Sequence, residues 1–264
     1  MNPLKVVVHG VNGRMGQVAL GAVAGQDDME PVGGVDIRPP QSGELRLPDG
    51  SRTIPFSTSL EEMLGQVEAR VVVDFSNAGA CANAFQAAAA HGVNMVIGTT
   101  GFTDANLGEM DRVARERGIG VFVAPNFALG AVLLAHLARI AAPFFDYADI
   151  VEMHHETKID APSGTALALA RAIAEGRSFQ RNVPEKETLP GTRGGDLSGV
   201  SVHSVRQPGR MAHHEVIFGG LGQTLFLRHD TVGRDCYVPG ILRAVREVVE
   251  FKGLVVGLEK LLGL

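Results

Sequence analysis

Leu4–Gly16 reads LKVVVHGVNGRMG. Leu4–His9 is a β-type run, and it enters a loop with glycines at Gly10, Gly13 and Gly16. Val18, Ala19, Leu20, Ala22 and Val23 then carry the apolar pattern of a helix. Strand, glycine loop and helix, in that order, are the context a dinucleotide fingerprint requires. Glycines let the backbone approach a pyrophosphate, and the N-terminus of the helix receives its charge. The spacing is GxxGxxG rather than GxGxxG, so the loop alone also suits an ordinary tight turn. The next strand favours the nucleotide. Pro31–Val35 ends at Asp36, 20 residues beyond Gly16, where a Rossmann acid holds the adenosine ribose hydroxyls. A mere turn residue would have no reason to stand at the end of that succession.

The same alternation continues outward. Ile37–Pro55 is rich in Pro, Gly and Ser and reads as an irregular connection, with a short helix at Glu61–Leu64. Arg70–Phe75 (RVVVDF) is a continuous apolar strand, as expected where helices cover both faces of a parallel sheet. Ala78–His91 reads as a helix stopped by Gly92, and Val93–Ile97 as a strand running into Gly98-Thr99-Thr100-Gly101. Thr103 or Asp104 caps the next helix, which Gly118 stops. Ile119–Val123 is a strand ending at Ala124-Pro125-Asn126-Phe127. Strands alternating with helices predict an α/β fold with a doubly wound parallel sheet, whose strand ends carry ligands.

After Asn126 the pattern changes. A helix from Leu129 to about Phe145 precedes a strand, Tyr147–Met153, and then Glu152–Ala166, EMHHETKIDAPSGTA. Ser163 reads as the N-cap of a helix over Ala166–Glu175, which puts Gly164 and Thr165 in a first turn with free N–H groups. Those groups and the helix dipole attract anions. His154, His155 and Lys158 add positive charge and a titratable group, so the string predicts a pocket for a small, multiply anionic substrate. Taken singly, paired histidines are ordinary surface residues and the Pro-Ser-Gly joint ordinary punctuation. A metal site is disfavoured, because HExxH is absent and adjacent strand residues point to opposite faces. Gly176–Gly199 reads as a loop. Val200–Val205, Glu215–Phe218 and Gln223–Arg228 read as clustered strands of a mixed or antiparallel sheet in a second domain. A last helix, about Val238–Phe251, returns to the first domain, and Leu254–Leu264 reads as a short tail.

Composition narrows the function classes. The 264 residues allow one large or two modest domains. A formal charge of -5 and a pI near 6.0 argue against a nucleic-acid surface. Two cysteines, Cys81 and Cys236, make no disulfide framework, which points to a reducing cytoplasm. No stretch reaches the roughly 20 apolar residues of a membrane span, and Met1–Val8 lacks the apolar core of a signal peptide.

With these pieces placed, the chain resembles the 4-hydroxy-tetrahydrodipicolinate (dihydrodipicolinate) reductase family of the diaminopimelate and lysine pathway over essentially its whole length. The string from His154 to Ala166 is the most specific part; GxxGRMG at Gly10–Gly16, GTTG at Gly98 and APNF at Ala124 recur in order. The resemblance implies a Rossmann-type dinucleotide-binding domain of about 1–125 plus 235–264. It implies a substrate-binding and oligomerisation domain of about 126–234, α+β and built on an open mixed sheet, in a homotetramer. It implies hydride transfer from NADH or NADPH to a cyclic, imine-type dicarboxylate, with loss of water. His154 corresponds to the family's proposed general acid, and an imidazole suits that task near neutral pH. Lys158 corresponds to a second proton donor or charge stabiliser, and His155 to a substrate contact. Gly164 and Thr165 would bind a substrate carboxylate. Gly10, Val11, Asn12, Gly13, Arg14, Met15, Asp36, Gly98, Thr99, Thr100, Ala124, Pro125, Asn126 and Phe127 would line the cofactor. Asp160 and Ser163 read as structural, a turn residue and a cap.

One departure bears on the cofactor. Family members that use NADPH readily often carry an arginine directly after the strand-end acid; here that position is Ile37, and Arg38 follows. Asp36 would repel a 2′-phosphate, although Arg14 or Arg38 could compensate, so the sequence leans to NADH with dual use left open. Two rival readings share the fold. Another two-domain Rossmann dehydrogenase, of the homoserine or sugar type, has no reason to carry HHETKIDAPSGTA. A non-catalytic nucleotide sensor would be favoured by a degraded histidine–lysine cluster, and this cluster is intact.

Overall fold

The computed structural model describes residues 2–40 and 44–264. The methionine that opens the strand-like Met1–Val8 run and the 41–43 part of the expected irregular connection lie outside the described residues. In chain order the elements are β1 (Leu4–His9), α1 (Arg14–Ala24), β2 (Met29–Val35), β3 (Leu45–Arg46), β4 (Thr53–Ile54), β5 (Phe56–Ser57), α2 (Leu60–Gln66), β6 (Val71–Asp74), α3 (Ala78–Ala90), β7 (Asn94–Ile97), α4 (Asp104–Arg117), β8 (Gly120–Val123), α5 (Leu129–Ala141), β9 (Tyr147–His154), α6 (Gly164–Ile173), β10 (Gly195–Leu197), β11 (Val200–Arg206), β12 (Ala212–Gly220), β13 (Gln223–Thr231), α7 (Val238–Glu247), β14 (Gly253–Val256) and α8 (Leu258–Leu262). They form two compact units, Met1–Leu129 with Tyr237–Leu264, and Gly130–Cys236. The expected boundary at 125/126 differs because Phe127 is buried among first-unit rings, edge-on to Phe75 and Phe122.

In the first unit seven parallel strands lie in the order β14-β8-β7-β6-β1-β2-β5. β6, β7 and β8 are buried at every residue, which explains their unbroken apolar runs. Val7, Val72, Met95 and Val121 share one core cluster with Phe85 and Ala88 of α3 and Met110 and Ala114 of α4. By the two-residue period of a strand, Val6, Val8, Val71 and Phe122 face the other way; on that side α1 and α7 pack together. Thr103, not Asp104, caps α4: its hydroxyl accepts from Asn106 N–H at 3.2 Å, and Asn106 returns the bond to Thr103 N–H at 3.0 Å.

The second unit holds a five-stranded mixed sheet, β10-β11-β9-β12-β13, in which only the β11–β9 pair is parallel. α5 and α6 supply Leu134, Ala138, Ala166 and Leu169 to its core, against Ala148, Ile150, Val202, Val216 and Phe218 of the sheet.

Five sequence expectations need correction. Leu254–Leu264 is not a tail: Gly253–Val256 pairs in parallel with β8 as the sheet's last strand, and α8 follows. A four-residue apolar run carries too little periodicity to declare itself. The helix from Leu129 stops at Ala141, and Ala142–Phe144 is a 3₁₀ turn, because Pro143 has no N–H to continue an α-helix. The Ile37–Pro55 connection contains the small β3–β4 hairpin, and Gly176–Gly199 contains β10. The last long helix ends at Glu247 rather than Phe251.

Candidate active site

The order of the seven-stranded sheet reverses between β1 and β6, so the crevice for a ligand opens at their carboxyl ends. There Gly10 has φ +77°, and a Cβ on it would lie 2.6 Å from Phe75 O. A Cβ on Gly16 would collide with Gly10 O. Gly13 is the N-cap of α1 and offers no side-chain cap, which leaves the first-turn N–H groups for an anion. Asn12 ties the loop to β2: its N–H donates to Asp36 Oδ2 at 2.9 Å, and its Nδ2 to Arg38 O at 2.6 Å. Arg14 is exposed and Met15 half-buried. This cradle, barred to side chains and flanked by an acid, fits a dinucleotide's pyrophosphate and ribose.

The remaining expected cofactor residues divide by exposure. Gly98 lies against the Phe75 ring, where a Cβ would collide, and Thr100 and Pro125 are exposed. Val11, Thr99, Ala124 and Phe127 are buried. Asn126 Oδ1 accepts from Ala128 N–H at 2.9 Å.

Beneath the cradle lies a polar cluster that sequence reasoning missed. His9 and Asp74 are register partners at the ends of β1 and β6. The Asp74 carboxylate is wholly buried and meets His9 Nδ1 at 2.5 Å, Thr99 Oγ1 at 2.5 Å and Ser76 Oγ at 2.9 Å. Burial works to raise the Asp74 carboxyl, but bonds from His9, Thr99 and Ser76 outweigh it and hold it below its ordinary range. The signal in the sequence was an acid closing the apolar run VVVD.

In the second unit the site grows from the alternation of β9. Ala148, Ile150, Glu152 and His154 are buried while the residues between them are partly open, so one face runs from core to chemistry. Across the sheet Glu152 stands opposite Ser204 and His214, and His154 opposite Arg206 and Ala212. Glu152 is fully buried and receives four donors. His154 Nδ1 lies 2.5 Å from Oε2, Arg206 reaches Oε2 at 2.9 Å and Oε1 at 2.7 Å, and Ser163 N–H reaches Oε1 at 3.2 Å.

Ser163 caps α6 through Ala166 N–H at 3.1 Å, and its Oγ lies 3.2 Å from His214 Nε2. Gly164 and Thr165 follow in the first turn, both exposed, and a Cβ on Gly164 would meet nothing within 4 Å. His155 is exposed with Nδ1 2.8 Å from Thr157 Oγ1. Lys158 Nζ donates to Asp160 Oδ1 at 2.6 Å, and Asp160 O accepts from Arg206 at 2.7 Å. One hydrogen-bonded chain therefore joins Lys158, Asp160, Arg206, Glu152, His154 and the cap of α6. Asp160 and Ser163, read from sequence as structural, are links in it. Arg206 and His214 went unread because register across strands, not spacing along the chain, brings them here; Glu152 stands two residues before His154 on the same strand face and was quoted without a role.

The charges follow from these contacts. Burial would raise the Glu152 carboxyl, but Arg206, Ser204 and His154 bring it down to about 2, so it stays ionised. Burial lowers the His154 imidazole, Glu152 opposes that, and Lys158 and Arg206 reinforce it; the net shift is downward. Burial and the neighbouring His154 push His214 down to about 4. Among the described residues no group of three or more His, Cys, Asp or Glu is placed to hold a metal ion, and no helix is long and apolar enough to cross a membrane.

Comparisons with known proteins agree with one another. A family model described as "Dihydrodipicolinate reductase, N-terminus" matches residues 4–127, and one described as "Dihydrodipicolinate reductase, C-terminus" matches residues 130–262. A 4-hydroxy-tetrahydrodipicolinate reductase of Dehalococcoides mccartyi is 49% identical over 264 residues, covering 100% of both chains. One of Synechococcus elongatus is 42% identical over 99% of each. A solved dipicolinate-bound dihydrodipicolinate reductase from Paenisporosarcina sp. TG-14 superposes with TM-score 0.87 at 39% identity, over 98% of this chain and 99% of that one. An amine dehydrogenase from Mycobacterium smegmatis, at 16% identity and TM-score 0.65 over 96% of this chain and 94% of that one, shares the fold alone.

Proposed function

The chain belongs to the dihydrodipicolinate reductase family, and from that premise we propose how its residues reduce 4-hydroxy-tetrahydrodipicolinate to tetrahydrodipicolinate and water with a nicotinamide cofactor. The observation that carries the assignment of roles is the bond chain from His154 through Glu152 to the cap of α6. It ties a proton-carrying imidazole to a helix terminus suited to a carboxylate.

The first unit is the dinucleotide-binding domain. Gly10, Gly13 and Gly16 would admit the pyrophosphate to the N-terminus of α1, Asp36 would accept from the adenosine ribose, and Gly98–Thr100 and Ala124–Phe127 would line the crevice beyond. When bound, the reduced nicotinamide supplies the hydride. Asp36 favours NADH over NADPH, since its carboxylate would face a 2′-phosphate and exposed Ile37, not an arginine, comes directly after it.

The second unit is the substrate domain. Backbone N–H groups of Gly164 and Thr165 would hold one substrate carboxylate, and His155 would contact the substrate. Loss of water leaves a conjugated imine; hydride addition then leaves an electron pair on the ring that needs a proton. His154 delivers it from Nε2, because Nδ1 is engaged by Glu152. Lys158 stabilises the developing negative charge. A homotetramer in the cytoplasm accords with the family resemblance, and the mass in solution by light scattering tests the assembly.

The deciding experiment monitors oxidation of reduced nicotinamide with the condensation product of pyruvate and aspartate semialdehyde as substrate, beside competition by pyridine-2,6-dicarboxylate. Turnover that the planar dicarboxylate blocks supports the reaction and the anion pocket together. Cofactor binding without turnover would return the chain to the sensor reading. Running KM and kcat with both cofactors tests the NADH leaning, which a strong NADPH preference sinks.

A further inference from the structure

We infer that Glu152 is a positioning residue for the proton transfer: its carboxylate holds His154 with Nδ1 as donor, leaving Nε2 as the nitrogen that gives the proton. This rests on the reading of His154 as general acid. Glu152 occupies a wholly buried position on a strand face whose preceding members are Ala148 and Ile150. A carboxylate in such a place is costly unless every lone pair is used, and an apolar residue would serve the core better. Here all four acceptor positions are taken, two by Arg206, one by Ser163 N–H and one by the ring of His154.

The consequence for the imidazole is chemical. A neutral histidine carries one N–H, and the partner of one nitrogen decides which nitrogen holds it. With Nδ1 2.5 Å from an ionised carboxylate, the proton sits on Nδ1. The substrate-facing proton is then the second one, carried on Nε2 of the imidazolium, which the same carboxylate stabilises. Arg206 keeps Glu152 ionised and also holds Asp160 O. The groups bearing on His154 are Glu152 on its own strand, Arg206 on β11, His214 on β12 with its ring 5.4 Å away edge-on, and Lys158 in the next turn. Glu152 is the one that favours the charged ring.

Two measurements test this. Nitrogen-15 NMR of histidine-labelled wild-type protein, with His154→Gln to assign the resonance, reads the tautomer without turnover. The neutral ring is expected with its proton on Nδ1; a proton on Nε2 overturns the inference. Kinetics of Glu152→Gln, His154→Gln and the double variant then form a cycle. Glu152→Gln should lower kcat by about 10–100-fold, part of the general acid's about 10²–10⁴-fold. It should leave cofactor KM unchanged and move the alkaline limb of the kcat/KM profile to lower pH. In the His154→Gln background it should cost less than about twofold, because the group it acts through is gone.

Equal losses in both backgrounds would make Glu152 merely structural and sink the inference alone. Full kcat in His154→Gln would sink the general-acid reading, and the inference with it. Should Glu152→Gln not fold, Glu152→Asp keeps a charge beside Arg206 while drawing the carboxylate back by one methylene. It must still lower kcat and the alkaline limb, and wild-type behaviour in both would refute the role.

Discussion

At His154 burial and charge pull the proton in opposite directions. Burial dominates and lowers the imidazole below its ordinary value, while Glu152 restores part of the loss. A general acid works only when protonated, so kcat/KM should fall as pH rises through a pKa below the usual histidine value of about 6.5. A bound dianion favours the imidazolium, so the limb in kcat should lie at higher pH than the limb in kcat/KM. Profiles of both parameters check this, and coincident limbs would place the substrate's charge away from His154. His154→Gln should cost about 10²–10⁴-fold in kcat with cofactor affinity kept; near-normal kcat refutes the role. His214 acts on stability instead. Its folded value of about 4 lies below its unfolded 6.5, so the unfolded chain binds the extra proton first as pH falls between them. Stability should drop by about 3 kcal/mol over that window, and His214→Gln should flatten the drop in urea midpoints between pH 7 and pH 4. Of the site histidines, His154 and His155 were legible because HHETK is a compact string. Their partners were not: Arg206 lies 54 positions from Glu152 in the chain, and only the parallel register of β11 on β9 joins them.

The proposed binding chemistry rests on two short elements, the glycine loop before α1 and the first turn of α6. They should answer mutation in opposite ways. A methyl group on Gly16 would strike Gly10 O, so Gly16→Ala should distort the loop and abolish cofactor binding, with loss of stability read by thermal melting. A methyl group on Gly164 meets nothing within 4 Å, and the residue is not among the positive-φ glycines, so alanine fits its backbone. Gly164→Ala should therefore fold at least as well while raising substrate KM, because the added carbon occupies the space a carboxylate would take. Thr165→Val should likewise raise substrate KM; an effect on cofactor KM instead would mean the carboxylate site is misplaced. Legibility at this scale tracked length. Strands bounded by glycine turns and helices with Ser, Thr or Asn caps were readable from period and punctuation. β14 and the β3–β4 hairpin were not, since two to four residues cannot establish a period, and tertiary pairing alone makes them strands.

Continuity of the chain separates the two units as folding problems. Gly130–Cys236 is one uninterrupted segment with its own sheet and core. The first unit is interrupted, and its last pieces include α7 and β14. On α7 and just beyond it Ile241, Ala244, Val245 and Val248 are fully buried. At about 1.5–3 kcal/mol for each large apolar side chain, the three large ones contribute about 5–9 kcal/mol. That is comparable to a whole domain's net stability of about 5–15 kcal/mol, before counting the pairing of β14 with β8. A fragment ending at Leu129 should therefore lack cooperative unfolding and fail to bind NADH, although it contains the entire glycine loop, Asp36 and the GTTG turn. A fragment of Gly130–Cys236 should unfold cooperatively and retain affinity for pyridine-2,6-dicarboxylate, because the His154–Glu152–Ser163 chain is complete within it. Circular dichroism melts and calorimetric titrations on the two fragments decide the matter. NADH binding by the N-terminal fragment would show that the glycine cradle holds its shape without α7 and β14, and that the C-terminal return stabilises the unit without building the site.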